Sequence, residues 1–277
     1  MMERIERAWE LLKQSFNVLV NDKQLLVFPV FSAIATMVVC LSFIAPLILT
    51  GAYQHFGDNG RATPIDYLVV FAFYYCNYFV VIFFNSALVA AANICLAGGH
   101  PKVSDALSLA AGRIHRIAMW ALVAATVGLI LRTLQERLGK IGRFVVALLG
   151  TAWSLLTYFI VPVIIFEDLD MMESVQRSGR LFKETWGEEV AGGLSLGVIY
   201  LLLIVPGFAL MFLGFIARPL LLVGILLGIV YFLLFATMVS ALKSIFTVAL
   251  YRYAVWKQVP PQFTPELIQN AWLPKNA

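Results

Sequence analysis

Charge is what this sequence has least of. Only 13% of its 277 residues are Asp, Glu, Lys or Arg, against 61% hydrophobic, and the mean hydropathy is +0.86. A soluble domain is about 25% charged, so half that amount excludes an ordinary water-soluble fold and points to an integral membrane protein. The net charge of +4 is modest. The bases sit near the ends of apolar segments and form no patch, which speaks for membrane topology and against nucleic-acid binding. Cysteine is nearly absent. Cys40, Cys76 and Cys95 fall inside apolar blocks with no C-x-x-C spacing, so they read as small buried hydrophobes and not as redox or metal groups.

Catalytic vocabulary is also missing. His55, His100 and His115 lie in separate connecting segments, with no H-E-x-x-H pairing, no P-loop and no G-x-S-x-G. No charged residue stands at the middle of an apolar block, where transporters and proton pumps usually place one. The reading is a non-enzyme with no catalytic residues, no cofactor and no metal. Residues 1–24 carry mixed charge, and the first apolar block exceeds the 7–15 residues of a signal-peptide core. That block is therefore expected to stay as a span.

Long apolar runs are what the sequence does have. Spanning requires about 20 apolar residues. Blocks at 25–51, 67–97, 144–166, 190–217 and 219–242 meet this, and 117–131 is shorter, at about 22 Å of helix. Arg116 and Arg132 at its ends can snorkel to lengthen it. The expected fold is all-α, a polytopic membrane protein of six transmembrane helices in a single membrane domain covering 1–277. Ser86, Ala90, Asn93 and Ala97 make a small polar stripe on the second span. Gly193-x-x-x-Gly197 and Gly224-x-x-x-Gly228 favour close helix approach in the last two, and Pro206-Gly207 predicts a kink.

Short helical patterns alternate with the spans. Ile5, Ala8, Trp9, Leu12, Phe16 and Leu19 recur at three- and four-residue steps, which suits either an interfacial helix or a cytosolic helix packed on the spans. A second pattern follows Ser104, a candidate N-cap, and a third follows Asp170. Thr264-Pro265 opens an amphipathic tail at 264–273. A short amphipathic helix followed by two spans thus repeats three times, over about 3–97, 103–166 and 170–256. With six spans and both termini in the cytoplasm, fourteen of the 20 Lys and Arg residues fall inside and six outside. If 117–131 failed to cross, the split would be twelve to eight. The positive-inside rule therefore favours six spans in the inner, cytoplasmic membrane. The bases of the third-to-fourth linker, Arg132, Arg137, Lys140 and Arg143, fit that rule badly.

Two sets of polar residues are candidates for function. Asn77, Asn85 and Asn93 recur every eight residues, a rotation of about 80° per step, so they do not line one wall. They read as intramembrane contacts between helices. The other set lies in the charged island at 166–189, FEDLDMMESVQRSGRLFKETWGEE. Asp170 and Glu173 match a capping box. Glu173 with Arg177, and Arg180 with Glu184, stand at i,i+4 spacing, while Met171, Val175, Phe182 and Trp186 form one apolar stripe. The alternative is a cation or lipid-headgroup site built from Glu167, Asp168, Asp170, Glu173 and Arg177.

The E-D-x-D-x-x-E-S-x-x-R-S passage from Glu167 to Ser178, between two hydrophobic hairpins, resembles that of an uncharacterised family of bacterial and archaeal six-helix membrane proteins. In layout it is also similar to the membrane domains attached to some glycerophosphodiester phosphodiesterases. The resemblance implies architecture and no catalytic residue. Two functions remain. One is a scaffold, assembly or accessory protein whose partners are the lipid bilayer and other membrane proteins or a second copy. The other is a transporter or lipid-handling protein for an apolar or amphipathic cargo.

Overall fold

The computed structural model describes residues 2–49, 63–186, 204–209, 211–212 and 221–265. All its regular structure is helical, with no strand among those residues. Helix α1 covers Met2–Asn21, and a short 3-10 turn at Lys23–Leu26 leads into α2, Val27–Leu49. Next come α3 at Pro64–Leu96, α4 at Val103–Gly112, α5 at Ile114–Arg137 and α6 at Lys140–Leu156. The chain continues with α7 at Ile160–Phe166, α8 at Met171–Trp186 and α9 at Leu221–Trp256. Residues 204–209 and 211–212 are also helical.

The chain divides into two compact units, one made of Met1–Leu26, Ala92–Pro101 and Lys183–Ala277, the other of Val27–Ala91 and Lys102–Phe182. In the first, α1 packs against α9, burying Ser15, Val18 and Leu19, while Trp9 and Phe16 face outward. On α9, Ala241, Ile245, Val248 and Ala249 are buried. In the second, α5 and α6 form a hairpin joined only by Leu138 and Gly139. Helix α3 begins with a clear start signal. Thr63 precedes Pro64 at the first helical position, and the Asp66 carboxylate accepts hydrogen bonds from the Thr63 backbone N–H at 2.7 Å and its hydroxyl at 2.8 Å.

Among the described residues, five stretches are long and apolar enough to cross a membrane, namely Lys23–Leu49, Pro64–Leu96, Ile114–Arg137, Gly142–Phe166 and Leu222–Trp256. The expected span at 190–217, with Gly193 and Gly197, falls outside the described residues except at 204–209 and 211–212. The tail at 264–273 is described only at Thr264 and Pro265. The third block is longer than its uncharged core implied. The 24 residues of α5 rise about 36 Å, enough for a hydrocarbon core of about 30 Å, because the helix runs on through Arg132 to Arg137.

The fourth block is not one rod. It breaks at Thr157–Phe159, four residues or so upstream of Pro162. Proline lacks an N–H and its ring clashes with the carbonyl four residues back, here that of Tyr158. Pro162 itself sits in the first turn of α7, where it leaves no ladder bond unmade. The Ser104 cap expectation also fails. Lys102 occupies the cap position without a side-chain bond, and the Ser104 hydroxyl donates to the neighbouring Asp105 carboxylate at 3.0 Å.

Candidate functional site

Two elbows in the second unit bring the charged residues together. The first lies between α4 and α5, where Arg113 leaves helical geometry (φ −110°, ψ 17°). The second is the extended turn 167–170 between α7 and α8. Arg113 Nη1 donates to Asp168 Oδ1 at 2.7 Å, and Arg116 Nη2 donates to the same oxygen. Arg116 Nη1 reaches the Glu167 carbonyl at 3.0 Å. Arg177, from α8, turns back so that its Nε lies 3.0 and 3.2 Å from the two Glu167 carboxylate oxygens. Arg113 and Arg116 thus pin the first elbow to the second, and Arg177 with Glu167 braces the second internally.

The island's internal pairing differs from the sequence expectation. Arg177 pairs with Glu167 across the turn and not with Glu173 on its own helix. Glu173 instead accepts the Asp170 backbone N–H at 3.3 Å, which is the back-reaching half of a capping box. Arg180 and Glu184 both stand exposed. The buried stripe of α8 is also different. It is Ser174, Ser178 and Leu181, each at most 1% exposed, whereas Met171, Val175 and Phe182 are only half-buried. The Trp186 side chain is outside the described residues. The two small hydroxyls buried here meet backbone groups, Ser174 donating to the Leu169 carbonyl at 3.5 Å. The Ser178 hydroxyl receives the Phe159 N–H at 3.1 Å.

Electrostatics keep Asp168 from acting as an acid. Hydrogen bonds from Arg113 and then Arg116 hold the Asp168 carboxyl below its ordinary range, so it stays ionised near neutral pH and has no proton to give. Its side chain remains 78% exposed, so solvent screens these ion pairs and they add little to stability. Among the described residues, no group of three or more His, Cys, Asp or Glu is placed to hold a metal ion. What the arrangement does chemically is hold two bends of the chain in register.

The three asparagines go to different places. Asn77 donates to the Phe73 carbonyl of its own helix at 2.8 Å and accepts from Cys40 Sγ on α2 at 3.8 Å. Asn93, in the first unit, accepts from Arg252 Nη1 of α9 at 2.8 Å. Asn85 is half-buried on α3. Arg252 is the last base on α9, nine residues after Lys243. It also donates to Gln258 at 3.1 Å and stacks over Trp256 with its guanidinium carbon 5.3 Å from the ring centre.

A second feature of the second unit is an open cleft of 730 Å³ between α3, α5 and α6. Its floor is the stacked pair Trp120 and Trp153, with ring centres 5.8 Å apart and planes 18° from parallel. Small residues carve it: Ala124 and Gly128 on α5, Ala147 and Gly150 on α6. The Thr151 and Ser154 hydroxyls along it donate to carbonyls of their own helix at 2.9 Å. At the α5–α6 turn lies a polar recess lined by Arg132, Gln135, Glu136, Leu138 and Arg143.

Apolar side chains on α2 and α9 point outward: Met37, Val38, Leu41 and Ile48, then Leu222, Leu226 and Leu234, are all at least 59% exposed. Faces this apolar suit lipid and not water. Together with five membrane-length helices among the described residues, they fit the class of multi-pass helical membrane proteins. Within that class, a family model for a family of unknown function (DUF6159) matches residues 64–259, and the chain belongs to that family. No curated protein and no solved structure matches it.

Proposed function

We propose that this protein is a non-catalytic component of the inner, cytoplasmic membrane that supports the assembly of other membrane proteins or of its own copies. In this reading it has six spans in three repeats of a short amphipathic helix and two spans. Both termini are cytoplasmic, and the layout parallels the membrane domains of some glycerophosphodiester phosphodiesterases. The observation that carries it is the fate of the island's acids. Glu167, Asp168 and Glu173 all engage other parts of the chain, so the main concentration of functional groups serves architecture. A cation or headgroup role for that cluster would have to displace those bonds.

Purification in mild detergent, with mass and co-purifying proteins measured, tests the assembly reading. A second copy or a defined membrane partner is expected, and a lone monomer overturns it. Single cysteines placed at Ser104 and Gly139, in a background lacking the three native ones, test the topology. Impermeant maleimide should reach position 139 from outside intact cells and position 104 only after lysis. The competing reading, a transporter or lipid-handling protein for an apolar or amphipathic cargo, is favoured by the open cleft between α3, α5 and α6.

A further inference from the structure

We propose that the cleft between α3, α5 and α6, together with the recess at the α5–α6 turn, is a seat for one anionic glycerophospholipid. Its phosphate lies among Arg132 and Arg143, and an acyl chain runs down to Trp120 and Trp153. This inference stands on the cleft itself, whether the protein scaffolds or carries.

Dimensions support a lipid lying within one leaflet. Leu131 lines the cleft and Arg132, the next residue of α5, lines the recess. From Arg132 to Trp120 is twelve residues, about 18 Å of helix. Half of a hydrocarbon core of about 30 Å is about 15 Å. The cleft therefore runs from headgroup depth to near the bilayer middle, where two stacked indoles close it. Its walls are mostly apolar, and the Thr151 and Ser154 hydroxyls are already bonded to helix carbonyls, which suits an alkyl chain.

Charge selects the headgroup. Arg132 Nε pairs with Glu136 at 2.9 Å, and its guanidinium also donates to the Tyr74 hydroxyl. Arg143 is exposed and takes part in none of the ion pairs among the described residues. The recess thus carries two arginines against one glutamate, and guanidinium forks match phosphate oxygens well. One phosphate monoanion neutralises it, whereas a zwitterionic headgroup adds a further positive charge. A lipid here also gives a use to the bases of this linker, which the positive-inside rule leaves unexplained on the proposed outer face.

The test is native mass spectrometry of the full chain in mild detergent, titrated with palmitoyl-oleoyl phosphatidylglycerol. Phosphatidylethanolamine of the same chains serves as comparator and inorganic phosphate as competitor. Wild type should retain one phosphatidylglycerol in preference to phosphatidylethanolamine, with inorganic phosphate a poor competitor. Arg143→Gln should weaken phosphatidylglycerol about fivefold, as expected for one interfacial base. Gly150→Leu should abolish retention without lowering the melting temperature, because a Cβ there meets only Leu131 Cδ1 at 3.9 Å. If that variant does not fold, Ala147→Phe, at an exposed position of the same wall, replaces it. Equal retention of the two lipids, wild-type binding by a folded cleft-filled variant, or displacement by inorganic phosphate each overturns the proposal.

Discussion

The Phe159 backbone N–H, where the fourth hydrophobic block breaks, is received by the Ser178 hydroxyl at 3.1 Å in a wholly buried setting. A chain break inside apolar surroundings is tolerable only when each freed backbone group finds a partner, and here α8 brings one. Ser178→Ala removes that acceptor. The expected loss is about 1–3 kcal/mol, the range for a buried donor left unsatisfied. Thermal unfolding of the purified protein in detergent should show it, and Ser178→Thr, which keeps the hydroxyl, should lose less of the stabilising bond while crowding the site.

Beside Ser178, Gly179 is placed so that an added Cβ would collide with the Leu156 side chain. Gly179→Leu is therefore an overpacking change, expected to destabilise by about 1–3 kcal/mol. Gly112, at the end of α4, meets nothing within 4 Å. Gly112→Ala should be neutral or stabilise by up to about 1 kcal/mol through helix propensity alone. Opposite shifts of the two variants in one unfolding assay are the expected outcome.

The Asp168 clamp has a pH signature. A carboxyl whose folded pKa is depressed, here by Arg113 and Arg116, stabilises above its unfolded value of about 3.9. That stabilisation is lost as pH falls from there through the folded value. The melting temperature should owe nothing to this group's titration between pH 7 and 5, and the Asp168 contribution should vanish in the acid range below. The difference between wild type and Asp168→Asn should accordingly be largest near neutrality and shrink as pH falls below about 3.9. A difference that widens on acidification would contradict the assigned pairing.

Glycine on the last described span has its partner within the chain. A Cβ on Gly228 would strike Met211, and one on Gly207 would lie 2.6 Å from Tyr231 and 2.7 Å from Phe232. Gly228→Leu is thus expected to lower stability by about 1–3 kcal/mol without changing the mass of the detergent-solubilised particle by light scattering. A change of oligomeric state instead would show that the Gly224-x-x-x-Gly228 face joins separate chains.

Hydropathy alone exposed the spans, since a run free of charge for 20 residues has few other uses. It under-read α5, because Arg132 interrupts the apolar run without interrupting the helix. The break at Thr157–Phe159 was hidden for a different reason. Proline acts on the carbonyl four residues upstream, so the visible residue, Pro162, is displaced from its consequence. Arg177 illustrates the limit for the site. Helical spacing offers Glu173, but the turn at 167–170 swings Glu167 into reach, and no periodicity encodes a turn's path. Arg113 and Arg116 lie more than fifty positions from Asp168, a distance at which a single sequence carries no pairing signal.

The ties within the first unit set a timetable for its biogenesis. Gln14 and Thr264 exchange two hydrogen bonds across 250 positions, Asn93 meets Arg252 across 159, and Gln262 donates to the Cys95 carbonyl across 167. At synthesis rates of about 5–20 residues per second, α1 waits roughly 10–50 s before its partner leaves the ribosome. During that interval its buried side, Val18 and Leu19, has to be sheltered by the bilayer surface or by a chaperone. A nascent chain stalled before residue 250 should therefore leave α1 open to protease, and release of the complete chain should close it.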